Sequence, residues 1–145
     1  FFFMDDTQLS RKTFHCPVDI NPSGSSNYWY CIALCFQYLN KHEEAISNYR
    51  KGISINENDH RIWFSLGNIL TKLSRYQEAL ESYDQAILKN PLEPLYFYNK
   101  GIIEASLTHY EAALISFDKA IYLGIQNERV HQIKAKILHK LSESE

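Results

Sequence analysis

Apolar residues recur along this chain at helical spacing, and the spacing itself recurs. Within 60–93, Trp63, Leu66, Gly67 and Leu70 fall on one stripe, the i, i+3, i+4, i+7 signature of an amphipathic helix. Ala79, Tyr83 and Ala86 form a second stripe, spaced i, i+4, i+7. Leu-Ser-Arg-Tyr at 73–76 is a short polar joint between them, and Pro91 after Asn90 stops the second helix. The pattern predicts a helix–turn–helix hairpin over 60–93.

The same pattern returns 34 residues later. SRYQEALESYDQAI at 74–87 becomes THYEAALISFDKAI at 108–121. A third copy over 94–127 keeps Phe97, Gly101, Ala113, Phe117 and Ala120 in register. An earlier copy over 26–59 keeps Trp29, Ile32, Ala33, Phe36, Ala45 and Tyr49, with Gly52 at the position of Ala86. A partial copy starts at Glu128, where Ala135 and Leu138 stand at the positions of Gly101 and Glu104. We expect a capping helix over 128–141, because the last face of a stack needs a more polar cover. Residues 1–25 fall outside the frame. Their Pro, Gly and Ser content reads as loop, and 5–13 reads either as a short helix or as the remains of an upstream repeat.

Such a period has a physical cause. One amphipathic hairpin cannot bury its apolar face alone, whereas stacked copies bury each other's. Glycine at 67 and 101 costs about 1 kcal/mol of helix propensity against alanine, so a close approach by a neighbouring helix is the expected compensation. Ala79 and Ala113 are expected to make the same kind of contact. Trp29, Trp63 and Phe97 read as bulky fillers.

Composition narrows the functional classes. The chain has 145 residues, a net charge of −2 and 15 basic against 17 acidic residues, so nothing pushes it globally toward nucleic acid or membrane. No run reaches membrane-spanning length. The initial Phe-Phe-Phe-Met is short and lacks a basic flank, which makes it a poor signal peptide. The first residue is Phe, so a fragment is one reading. The three cysteines, Cys16, Cys31 and Cys35, do not make a disulfide framework. With no Asn-x-Ser/Thr acceptor, they lean toward an intracellular, cytoplasmic setting.

The combined pattern resembles the tetratricopeptide repeat family, whose signature runs W-x₂-L-G-x₂-Y, then A-x₃-F-x₂-A, then P. Trp63, Leu66, Gly67 and Leu70 match its first half, with Leu in place of Tyr. Ala79, Tyr83, Ala86 and Pro91 match its second half. The third copy departs at Lys100, Glu104 and Ile125, the first at His42, Gly52 and Glu57. Lys100 and Glu104 stand i, i+4 and can pair. The resemblance covers 26–141. It implies an all-α fold, a right-handed superhelical stack of antiparallel hairpins, and an extended peptide or partner helix held on the concave face.

Carried over copy by copy, the family's concave positions give a candidate groove. Tyr30, Phe64 and Tyr98 make an aromatic ladder, followed by Leu34, Asn68 and Ile102. Arg61 and Lys72 lie nearer the middle, and Arg129, Lys136 and Lys140 form a basic end. Asn68 can bond a peptide backbone through its amide. The expected partner has apolar anchors and some acidic character. The two-carboxylate clamp of related chaperone-binding members is mostly absent, since Tyr30 and Leu34 stand at its first positions.

Catalytic chemistry finds little support. Cys31 and Cys35 are i, i+4, not the short spacing of a structural zinc site. The six histidines are scattered, and Asn-Pro-Ser-Gly-Ser-Ser at 21–26 lacks the lysine of a phosphate loop. The expectation is therefore a non-enzymatic protein-interaction scaffold with no cofactor, no metal, no nucleic acid and no membrane contact. The alternatives are a docking domain of a longer enzyme or co-chaperone, self-association through the N-terminal face at Tyr28 and Trp29, and an RNA-binding helical repeat.

Overall fold

The computed structural model describes residues 24–145, and the expectations for 1–23 lie outside the described residues. The elements are α1 (Ser26–Tyr38), α2 (His42–Ile55), α3 (His60–Lys72), α4 (Tyr76–Lys89), α5 (Pro94–Ser106), α6 (Tyr110–Tyr122) and α7 (Glu128–Glu143). The described residues contain helices and no strands. Helices α1–α2, α3–α4 and α5–α6 pack as hairpins, and each hairpin packs on the next, with α7 on α6. Helix α7 runs two residues past its expected end.

The 34-residue period extends to backbone detail. Asn40, Ser74 and Thr108 all adopt left-handed φ, at 60°, 58° and 61°. Each follows the first helix of its hairpin. The next amide then bonds back across the turn, from Lys41 to Phe36, Arg75 to Leu70 and His109 to Glu104, at 2.9, 2.9 and 2.8 Å. This is the Schellman closure, which satisfies carbonyls that the helix end leaves open. At the other end of the hairpin, Asp59, Glu93 and Asn127 cap α3, α5 and α7 by accepting from the amides of Arg61, Leu95 and Arg129. An oxygen-bearing side chain there satisfies an otherwise open donor.

Packing follows the stripes. Tyr49, Tyr83 and Phe117 are fully buried, as are Ala33, Ala45, Ala79, Ala86, Ala113 and Ala120. A Cβ on Gly67 would stand 2.7 Å from the Tyr83 ring, and one on Gly101 would stand 2.9 Å from Phe117. The close neighbour is therefore the aromatic residue of the second helix in the same hairpin. Trp29, Trp63 and Phe97 are half-buried at the edge of the stack, and the Trp63 indole donates to the Glu57 carbonyl at 2.8 Å.

Lys100 and Glu104 do pair, at 3.8 Å, but the closer partner of Lys100 is Asp84 at 2.7 Å. Glu104 is only 7% exposed and accepts from Ser116 Oγ at 2.6 Å. One period on, Lys134 pairs with Asp118. Two successive junctions thus share one inter-hairpin ion pair. At the first junction Leu66 and Arg50 occupy those positions, and Arg50 reaches Glu78 at 3.5 Å.

Candidate functional site

The first helices of the hairpins line a hollow of about 380 Å³, bounded by Gln37, Asn68, Thr71, Lys72, Tyr83, Asn99, Ile102 and Ile103. A second hollow, of about 310 Å³, adjoins it through Gln37 and Lys72 and adds Leu34, Tyr38 and Asn40. The structure therefore brings together Leu34, Asn68, Lys72 and Ile102 from the expected groove. No carboxylate lines either hollow. Lys72 is exposed and has no ion-pair partner among the described residues, so its charge faces the hollow uncompensated.

The aromatic ladder lies deeper than a free contact surface. Tyr30, Phe64 and Tyr98 are half-buried. Each packs on the buried aromatic of its own hairpin, with ring centroids 6.1 Å from Tyr49, 5.9 Å from Tyr83 and 6.0 Å from Phe117. Phe64 also lies 4.6 Å from Tyr96 on α5. Its truncation would open a void as well as change a surface, so it is a poor isolated probe of binding.

Arg61 is committed locally. Its guanidinium takes both oxygens of Asp59, at 3.0 and 2.7 Å, and sits 5.2 Å over the Tyr30 ring. Burial works to raise the Asp59 carboxyl, but the hydrogen bonds and charge of Arg61 outweigh it and hold the group below its ordinary value. The Tyr96 hydroxyl, bonded to His60 Nδ1, is pushed up to about 12 by burial and by nearby Glu93. Arg129, Lys136 and Lys140 are exposed on α7 but line neither hollow. Lys140 instead lies 5.8 Å from the Tyr110 ring.

Gln37 and Asn99 join Asn68, already in the expected groove, in a polar line on the floor of the hollow. The Tyr49 hydroxyl donates to Gln37 Oε1 at 2.6 Å. The Tyr83 hydroxyl donates to Asn68 Oδ1 at 2.7 Å. Asn99 Nδ2 donates to that same oxygen at 3.0 Å. Gln37, Asn68 and Asn99 are spaced 31 residues apart, one helical turn short of the period. A search for 34-residue identity passes over such an oblique line.

Among the described residues no group of three or more His, Cys, Asp or Glu side chains could hold a metal ion. Cys31 and Cys35 are buried on α1. No described helix is long and apolar enough to cross a membrane.

The tetratricopeptide repeat model matches residues 26–59 and 60–91. These two hairpins are tetratricopeptide repeats, and α5–α6 continue the same all-α stack. The first TPR of Spaghetti (RPAP3), solved bound to the HSP90 peptide SRMEEVD, superposes with a TM-score of 0.77 at 18% identity, over 83% of this chain and 95% of that one. PilF of Pseudomonas aeruginosa gives 0.74 at 24% identity, over 83% and 55%. MamA gives 0.67 at 18%, over 79% and 63%. This chain therefore spans under two thirds of the MamA and PilF chains. At these identities the likeness is one of fold. No curated protein sequence matches the chain.

Proposed function

We propose that this chain is a protein-interaction scaffold that holds a segment of a partner protein in the hollow lined by α1, α3 and α5, as part of a larger assembly. The observation that carries the reading is a pair of adjoining hollows lined by Lys72, which has no ion pair among the described residues, and by Asn68, whose oxygen is taken within the protein while no described group accepts from its Nδ2. Apolar Leu34 and Ile102 flank them. Ile102 offers desolvated contact area, and Lys72 favours a partner with acidic character through charge complementarity.

Affinity capture with the wild-type chain and with Lys72→Glu, followed by mass spectrometry, tests this. Partners retained by wild type and lost by Lys72→Glu support the hollow as the contact surface. Equal retention by both proteins counts against it. Lys72 is exposed and unpaired, so its replacement leaves the fold intact.

A further inference from the structure

A separate hollow of about 520 Å³ opens at the first junction, between α2, α3 and α4, and it shares no lining residue with the two concave hollows. From it we infer a second docking surface: this hollow seats a lysine side chain of a partner protein, with the stem on Trp63, Leu66 and Leu70 and the ammonium on Glu81.

The chain's own repeats show what such a place holds. At the next junction the equivalent of Leu66 is Lys100. Its side chain is only 25% exposed, and its ammonium meets Asp84 at 2.7 Å and Glu104 at 3.8 Å. One junction further, Lys134 pairs with Asp118 in the same way. In the first hairpin a cation comes from another position: Lys51 lies 4.7 Å over the ring of Trp29, the equivalent of Trp63. The second hairpin has neither lysine. Leu66 stands where Lys100 and Lys134 stand, and Gln85 stands where Lys51 and Lys119 stand. Both neutral side chains line the hollow.

The charges that remain select a cation. Arg50 has the opposite sign to its equivalents Asp84 and Asp118, but its guanidinium turns to Glu78 at 3.5 Å. Glu78 also takes Arg75 at 2.8 Å, so it is already met by two arginines. Glu81 is exposed at the rim and has no ion pair among the described residues. The lining therefore carries one positive charge, on Arg50, against two negative charges, on Glu78 and Glu81. The surplus carboxylate is the free one.

Below the rim the surface is apolar and fixed. Leu66 and Leu70 are 4% and 1% exposed. Trp63 is held by its indole N–H, which donates to the Glu57 carbonyl at 2.8 Å. A lysine is matched to this layout, because its methylene stem covers apolar surface while its charged head stays at the water's edge. An indole is also the best aromatic neighbour for a cation. The acidic character favoured beside Lys72 is disfavoured here, so the two surfaces sort different partner segments.

The test uses short phage-displayed peptides of random sequence around a fixed central lysine, selected on the whole chain. The tightest binder is then synthesised. It should shift the NMR signal of the Trp63 indole N–H. Replacing its lysine with norleucine keeps the stem, removes the charge and should weaken binding about fivefold, the upper value of a partly exposed ion pair. Glu81→Lys adds repulsion to the lost pair and should weaken binding roughly tenfold. Glu111→Lys makes the same change of charge at an exposed position on α6 and should leave affinity within twofold. Glu81 is exposed and unpaired, so circular dichroism of Glu81→Lys should stay native. If that variant unfolds, the norleucine comparison and the indole signal of the wild-type chain decide. The inference is overturned if no peptide is selected, if norleucine or Glu81→Lys changes affinity less than twofold, if Glu111→Lys weakens binding as much as Glu81→Lys, or if the indole signal stays put. A peptide lost on Lys72→Glu but kept on Glu81→Lys sits in the concave hollow, which also overturns the inference and leaves the concave reading standing.

Discussion

Gly67 is the position where a single methyl group would matter most. Its missing Cβ leaves room for the Tyr83 ring, which would otherwise stand at 2.7 Å. The ring is buried and bonded to Asn68, so it has little freedom to withdraw. Gly67→Ala should lower stability by about 1–3 kcal/mol, the usual range for overpacking, despite the better helix propensity of alanine. Urea denaturation reads the difference. Thr108 offers the opposite opportunity. A β-branched residue at φ 61° carries a left-handed penalty of roughly 1–2 kcal/mol that Asn largely escapes. Thr108→Asn, which copies Asn40, should raise the urea midpoint. The glycine stripe could be read from the sequence because it repeats in identity. The left-handed residue could not, because Asn40, Ser74 and Thr108 share a backbone conformation rather than a side chain. The caps at Asp59, Glu93 and Asn127 were hidden similarly, since three residue types supply the same oxygen.

Titration at the same scale has a definite sign. The Asp59 carboxyl lies below its ordinary value in the folded chain. Its contribution is fully present above the unfolded value near 3.9 and is lost as pH falls through the lower folded value. Tyr96 behaves oppositely, with a folded pKa of about 12 against roughly 10 unfolded. Its stabilisation holds below about pH 10 and fades toward 12, because the unfolded chain gives up its proton first. Thermal melts across pH 9–12 should therefore show a steeper alkaline decline for wild type than for Tyr96→Phe.

Between elements, the junctions differ in chemistry while sharing geometry. Lys100–Asp84 and Lys134–Asp118 are one ion pair repeated, largely solvent-facing on the carboxylate side. Lys134→Ala should cost less than about 1 kcal/mol, as exposed pairs do, and should show mainly as faster hydrogen exchange in α7. Ser116→Ala is a different case. It strips the buried Glu104 carboxylate of its 2.6 Å donor and leaves Lys100 at 3.8 Å. Loss of a partner by a buried polar group costs about 1–3 kcal/mol, so Ser116→Ala should destabilise more than Lys134→Ala. Lys100 and Glu104 are legible in sequence only as departures from an apolar pattern. Their reason lies in α4 and α6, and no i, i+4 rule reaches there.

Across the whole molecule, stability is a sum of hairpins and of the interfaces between neighbours. Helix α7 covers the third hairpin by burying Val130 and Ile137 against the cluster around Ala113 and Phe117. It leaves Leu138 53% exposed, where the period places Leu70 and Glu104 under a second helix. The repeat architecture was readable from spacing alone, because stacking demands the same size class at fixed intervals. The polar floor was less readable. The groove positions carried over from the family include Asn68, but Gln37 and Asn99 reach it from other positions of their repeats. Only the folded stack brings the three to one hollow.

Phe117 breaks the run of tyrosines, and the break has a consequence for any bound chain. A hydroxyl at 117 would have held a third carboxamide as Tyr49 and Tyr83 hold theirs. With a bare ring there, Asn99 is held by Asn68 instead, so a ligand on the floor meets a third carboxamide fixed by the neighbouring hairpin rather than by its own.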